Sequence, residues 1–167
     1  MLFRSINKNL LKDSKKIPSE ERKKLANYIK KNSIYSVGKA SIKEIDRLNI
    51  LQATLLSMKR AINNLKHKPN IILIDGVHAP KNMGYHFKTI IRGDEKIPTI
   101  SAASIIAKVA RDRYITKLAK NHVSYSWHTN FGYGTKKHLD AINKFGVTNH
   151  HRKSFKPIYN ILLGEKK

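Results

Sequence analysis

Apolar positions change period several times along this chain, and each change marks an element. Pro18–Lys31 has proline at its start, Glu20 and Glu21 in the first turn and Lys30 and Lys31 in the last. That charge order suits a helix macrodipole and predicts a surface helix. Ile34–Lys39 predicts a short strand, and Ser41 followed by Glu44 forms a capping box that opens a helical turn. Asn49 is placed to cap a helix over Ile50–Ile62, in which Leu51, Leu55, Met58 and Ile62 recur at helical spacing and are expected to face a core. Pro69 punctuates the chain before Ile71–Ile74, a continuous apolar run ending in Asp75-Gly76 that predicts a central strand buried on both faces. His86–Ile91 predicts another strand, with Gly93-Asp94 just beyond its end, so Asp75 and Asp94 occupy equivalent places. From Ile100 to Lys120 the pattern is helical, and its first half, with Ala102, Ala103, Ile105, Ile106, Ala107, Val109 and Ala110, is apolar nearly all round and is expected to be buried. Thr135–Gly146 reads as a helix with threonine at one cap and glycine at the other, Lys156–Leu163 as a last short helix, and 164–167 as a tail. Strands interleaved with helices predict one α/β domain over 1–167 with a mixed or parallel sheet.

Composition narrows the function. The 167 residues hold 34 Lys and Arg against 11 Asp and Glu, a net charge of +23 that suits a polyanionic partner, nucleic acid above all. No apolar run approaches the roughly 18–20 residues that span a bilayer, and residues 1–8 lack the long apolar stretch of a secretory signal. Cysteine is absent, which excludes disulfides, thiolate catalysis and thiolate zinc sites and agrees with a cytoplasmic protein.

With so few acids, each can be weighed singly. Hard divalent cations take oxygen ligands, and phosphodiester cleavage commonly recruits such ions. Glu20, Glu21, Glu44, Asp46 and Asp140 lie on amphipathic helices or first turns, where capping or solvation accounts for them, and Glu165 lies in the tail. Asp112, between Arg111 and Arg113, reads as an ion-pair partner. Asp75 and Asp94 differ, because each follows an apolar strand and adjoins a glycine. Those two are the candidate catalytic and metal-binding residues, against the plainer reading of Asp75-Gly76 as a turn.

Eight ordered blocks make the pattern specific: Asp13–Lys16, Glu44–Thr54, Leu73–Gly76, Gly93-Asp94, Ser101–Lys108, Arg111-Asp112, Gly132–Thr135 and His150–Phe155. In this order they resemble ribonuclease HII, the type 2 ribonuclease H family, from about Leu11 to Pro157. The resemblance implies a ribonuclease H-like α/β fold, with a mixed central sheet flanked by helices. It also implies an endonuclease that uses Mg²⁺ or Mn²⁺ to cut the RNA strand of RNA–DNA hybrids and single ribonucleotides within duplex DNA, leaving 3′-hydroxyl and 5′-phosphate ends. Asp75 and Asp94 match the third and fourth of four metal-holding carboxylates. Tyr133 matches a tyrosine that stacks on the sugar beside the ribonucleotide, against the plainer reading of a buried loop aromatic. Lys15, Lys16, Asn49, Lys108 and Arg152 complete the substrate-binding candidates. His150, His151 and Arg152 are expected to dock the C-terminal segment or meet phosphate rather than bind zinc.

One departure shapes the functional expectation. The family opens with a strand bearing an adjacent Asp-Glu pair and a Gly-Arg-Gly turn, whereas this sequence begins Met1-Leu-Phe-Arg shortly before the Asp13–Lys16 block. Two of the four carboxylates and the first strands are therefore expected to be missing. Phe131 stands where the family commonly has lysine. An endonuclease, monomeric unless another chain supplies the missing strands, is one expectation. A catalytically inactive nucleic-acid-binding remnant is the other. A basic ribosomal-type protein would explain the charge, but not Asp75, Asp94 or the apolar helix.

Overall fold

The structure is a computed structural model that describes residues 2, 3 and 17–164. Its elements run β1 (Leu2–Phe3), α1 (Ser19–Lys31), β2 (Ser33–Ile34), α2 (Ile42–Asn63), β3 (Ile71–Asp75), β4 (His86–Ile90), α3 (Gly93–Lys96), α4 (Pro98–Ala119), a 3-10 turn (Val123–Tyr125), α5 (Trp127–Asn130), α6 (Lys136–Phe145) and α7 (Lys156–Leu162). The chain divides into two compact units, Met1–Lys39 with Leu55–Ala110, and Ala40–Thr54 with Arg111–Lys167.

In the first unit, α1 carries its acids and bases as the sequence predicts and buries Ala26 and Ile29. These pack in one cluster with Ala102, Ile105, Ile106 and Val109 of α4. Only one face of α4 is buried, for Ala103 and Ala107 are exposed. The all-round apolar reading fails there because a methyl group loses little by facing water, so alanines do not compel burial. The strand expected over Ile34–Lys39 is confined to Ser33–Ile34, which pairs antiparallel with β1. Beyond it the chain lies along α2: the Ser36 hydroxyl donates to the Ala61 carbonyl, and a Cβ at Gly38 would run into the Ser57 carbonyl and come within 2.6 Å of the Ala61 nitrogen. Close approach of main chain to helix replaces sheet pairing, which position 38 permits only as glycine.

Strands β3 and β4 pair in parallel, Ile71 opposite His86 through Asp75 opposite Ile90. Among the described residues they form a two-stranded sheet. Ile74 is buried, whereas Ile71 is 55% exposed, so β3 is not covered on both faces as its composition suggests. Its period says that it can be buried, and the neighbours decide whether it is.

The second unit has its own core of Ala119, Tyr125, Trp127, Ala141, Ile142 and Ile158. Its helix ends follow the sequence closely. Thr135 caps α6 by accepting from the His138 N–H, and Gly146, at φ 82°, closes it by donating to the Ile142 carbonyl. The Ser41–Glu44 capping box is complete, with Glu44 accepting from the Ser41 N–H at 2.8 Å and the Ser41 hydroxyl accepting from the Glu44 N–H at 3.3 Å. Asn49, at φ 69°, breaks α2 into two helices and caps the second through its side chain, which accepts from the Gln52 N–H at 3.0 Å. That second helix does not present the expected stripe: Leu51 is exposed and Ala53 is its buried residue. Among the described residues no helix is long and apolar enough to cross a membrane.

Candidate active site and nucleic-acid contacts

In the first unit, the apolar run of β3 stops at Asp75, and Gly76, at φ 90°, turns the chain while its N–H still pairs with the Ile90 carbonyl at 3.0 Å. The two strands therefore end level. Arg92 then adopts a left-handed conformation, φ 55° and ψ 43°, which starts the short helix α3 at Gly93. The Gly93 N–H, unpaired within so short a helix, donates to Asp75 Oδ1 at 2.7 Å. This bond reaches across strand ends, so Asp75 is more than a local turn former.

Glycine is favoured at 93 by space rather than by φ. A Cβ there would lie 2.6 Å from Ile100 Cδ1 and 3.4 Å from Asp75 Oδ1. Asp94, the next residue, is buried, while Asp75 is exposed. One carboxylate oxygen of Asp75 is thus fixed by main chain, and among the described residues the other, Oδ2, has no hydrogen-bond partner. Oxygen donors of this kind suit a hard divalent cation. Among the described residues, no group of three His, Asp or Glu side chains gathers to hold a metal ion. Lys108 lies on α4 of the same unit, partly exposed. Lys15 and Lys16 lie outside the described residues.

In the second unit the predicted Tyr133 is 54% exposed, not a buried loop aromatic. Its loop is held from three directions. Asn130, itself buried, accepts from the Gly132 N–H at 2.8 Å through its side chain and donates to the Tyr125 carbonyl at 2.8 Å. Arg111 donates to the Phe131 carbonyl at 3.0 Å and places its guanidinium 5.1 Å from the Tyr133 ring centroid, within cation–π range. His138 Nδ1 meets the Tyr133 carbonyl at 2.9 Å. Phe131, at φ 48°, contributes main chain to this arrangement where a lysine would bring charge.

Arg152 is half-buried, its guanidinium 3.8 Å from the Phe155 ring centroid. Burial first, and then the like charge of Arg111, pull its pKa below the ordinary arginine range, with Asp46 and Tyr133 opposing. Two guanidiniums that repel each other beside an exposed tyrosine form a place where an anion is favoured. Asp112 is buried, 3.9 Å from Arg111, in keeping with its reading as an ion-pair partner.

Sequence reasoning passed over Asp46 as a helix-surface acid. It is the seat of the Lys153-Ser154 loop: Oδ1 accepts from the Ser154 N–H at 3.0 Å and its hydroxyl at 2.7 Å, and Oδ2 from the Lys153 N–H at 3.2 Å. Partial burial raises the Asp46 pKa, but the Ser154 and Lys153 hydrogen bonds outweigh it and the net shift is downward. No local pattern signals a partner 107 residues away. His151, expected to dock the C-terminal segment, is buried at 5% exposure against His138 and Trp127.

Comparison with known proteins agrees with the motif reading. The sequence model for Ribonuclease HII matches residues 3–158. A Ribonuclease HII of Pelagibacter ubique is 57% identical over 162 residues, covering 97% of this chain and 87% of that one. A Ribonuclease HII of Cereibacter sphaeroides is 50% identical over 155 residues, covering 93% and 73%. In three dimensions the crystal structure of the ribonuclease H2 from Pyrococcus horikoshii matches with a TM-score of 0.76 at 25% identity, over 94% of this chain and 82% of that one. The mixed α/β architecture expected from the alternation of elements is therefore the ribonuclease HII fold, and the chain belongs to the ribonuclease HII family of ribonuclease H-type endonucleases.

Proposed function

We propose that this endonuclease hydrolyses the RNA strand of RNA–DNA hybrids and cuts at ribonucleotides embedded in duplex DNA, with Mg²⁺ or Mn²⁺ held by Asp75 and Asp94. The observation that carries the reading is the level ending of two parallel strands, with Asp75 Oδ1 pinned by the Gly93 N–H next to Asp94. A divalent cation bound there would polarise the scissile phosphate and acidify water. The chain's own part is to keep Asp75 oriented, through a bond that leaves Oδ2 unencumbered, and to hold Asp94 out of bulk water, where its charge is less screened.

Recognition rests on other residues. An exposed aromatic face packs against a deoxyribose lacking the 2′-hydroxyl, which suits Tyr133 to sensing the step from RNA to DNA. Arg152, in the repulsive field of Arg111, takes a backbone phosphate. Lys108 and the Nδ2 amide that Asn49 keeps after capping are further donors to substrate, joined by Lys15 and Lys16 on the strength of the family motif.

A second reading follows from the same site. Among the described residues no group of three His, Asp or Glu side chains gathers to hold a metal ion, and a divalent ion bound with fewer carboxylates has less charge compensation. The 167-residue chain would then bind hybrids without cutting them. Both readings meet one assay, cleavage of a labelled duplex with a single embedded ribonucleotide in Mg²⁺ or Mn²⁺. Cleavage with a new 3′-hydroxyl end, lost in Asp75→Asn and in Asp94→Asn, is the expected result. Binding without cleavage, unaffected by either substitution, would leave the second reading standing and remove the first.

A further inference from the structure

The buried histidines of the second unit have their protons fixed by partners that admit only one role. Trp127 Nε1 can only donate, and it lies 2.9 Å from His138 Nε2. The Tyr133 carbonyl can only accept, and it lies 2.9 Å from His138 Nδ1. His138 is therefore neutral, with its proton on Nδ1 and directed at Tyr133. His151 Nε2 stands 3.2 Å from the same His138 Nε2 and carries the proton of the neutral ring, because His151 Nδ1 faces a group that can only donate. Its Nδ1 then accepts, as the Thr148 N–H at 3.0 Å requires. The Thr148 hydroxyl oxygen accepts from the His150 N–H at 3.1 Å, freeing its own proton for His151 Nδ1 at 2.9 Å. Two ring nitrogens are shared acceptors: the single lone pair of His138 Nε2 faces both Trp127 Nε1–H and His151 Nε2–H, and that of His151 Nδ1 faces both the N–H and the hydroxyl of Thr148.

This network costs the fold something, because two imidazoles buried at 5% exposure lose hydration that aliphatic side chains would not. What the fold gains lies at the terminus of the chain of bonds. The Tyr133 carbonyl takes both His138 Nδ1–H and the Thr135 N–H at 2.8 Å, and the Tyr133 N–H is held by the Asn130 carbonyl at 2.8 Å. The main chain on each side of the tyrosine is fixed while its ring stays exposed.

We infer that His138 and His151 are positioning residues for Tyr133, a tautomer-locked imidazole pair that sets where the tyrosine ring meets the sugar next to a ribonucleotide. The inference rests on the proposed role of Tyr133 at the RNA–DNA step. The low pKa of His151, brought to about 4 first by burial, agrees with an imidazole that is neutral at physiological pH.

The test uses the full 167-residue chain and binding rather than turnover. Fluorescence anisotropy, with Ca²⁺ in place of a catalytic ion, gives the preference for a duplex with one embedded ribonucleotide over the same duplex in DNA alone. His138→Leu removes the donor to Tyr133 and should reduce that preference roughly 3- to 10-fold, the worth of one hydrogen bond. His138→Asn offers Nδ2 near the lost Nδ1 and should keep the preference within about twofold, although it too loses the Trp127 partner and melts lower. A purely structural histidine would make both variants follow their melting temperatures instead. If Tyr133→Ala removes the preference while His138→Leu keeps it, the inference fails and the tyrosine reading survives. If Tyr133→Ala changes nothing, that reading fails and takes the inference with it. Independently, ¹H–¹⁵N correlation of the imidazoles at neutral pH should show His138 protonated on Nδ1 alone and His151 on Nε2 alone. Any other tautomer, or an imidazolium at either position, overturns the proposal.

Discussion

Replacing Gly93 by alanine puts two opposed effects on one methyl group. Gly93 opens α3, where alanine is favoured over glycine by up to about 1 kcal/mol from backbone entropy. Against this, the new Cβ would lie 2.6 Å from Ile100 Cδ1, about 1 Å inside normal carbon contact. Ile100 is 6% exposed, so its δ-methyl cannot swing freely into solvent, and overpacking of this kind costs roughly 1–3 kcal/mol. Overpacking should win, leaving Gly93→Ala destabilised by about 1 kcal/mol net. The attribution is checked with Ile100→Val, which deletes that δ-methyl and alone costs about 0.5–1.5 kcal/mol. In the double variant the main clash is gone, so the two losses should fall short of additivity by about 1–2 kcal/mol. Urea unfolding of the four proteins measures this directly. Additivity within about 0.3 kcal/mol would show that the close contact has no energetic meaning and would remove the spatial argument for glycine beside Asp75.

Three further outcomes are expected. His151 has its pKa depressed from 6.5 to about 4, so the unfolded chain binds the extra proton first and stability falls as pH drops from about 6.5 to about 4. With residual solvent screening the loss should be roughly 1–3 kcal/mol, read from melting temperatures across that range and absent in His151→Phe. Asp46→Ala removes three hydrogen bonds to the Lys153-Ser154 loop and should cost about 1–3 kcal/mol at pH 7. Because the Asp46 pKa is lowered, its contribution is present above 3.8 and lost as pH falls below it, so the wild-type and variant pH–stability curves should converge in acid. Thr135→Ala removes the α6 cap and should cost about 1 kcal/mol, read as a lower melting temperature, while the His138 N–H keeps its 3.0 Å bond to the Thr135 carbonyl; an unchanged melting temperature would argue that the 3.4 Å contact is not a cap.

What the sequence disclosed was local in origin. The caps at Ser41, Asn49 and Thr135, the ends of β3 and β4, and the strand-end placement of Asp75 all depend on residues a few positions apart, which pattern reading sees, whereas Asp94, expected in an equivalent place, lies in α3 beyond the end of β4. It failed where burial depends on distant neighbours. Leu51 and Ile71 have core chemistry yet stand in the open, and the outward alanines of α4 are silent about their surroundings. Asp46 was passed over because its partners come from the far end of the chain, and Arg111 because its carbonyl acceptor is on a loop 20 residues on. The His138–His151 pair carried no sequence signature as a pair, since its meaning lies in which ring nitrogen faces which donor.

The approach of Gly38 to Ser57 and Ala61 has an evolutionary consequence. A joint made of main chain on both sides has no adjustable part, so drift cannot be absorbed by repacking as it can in an aliphatic cluster. Residues 36–39 and the middle turns of α2 should therefore be inherited as one block, intolerant of insertion, while the loop between Asn63 and Ile71 accepts length changes freely.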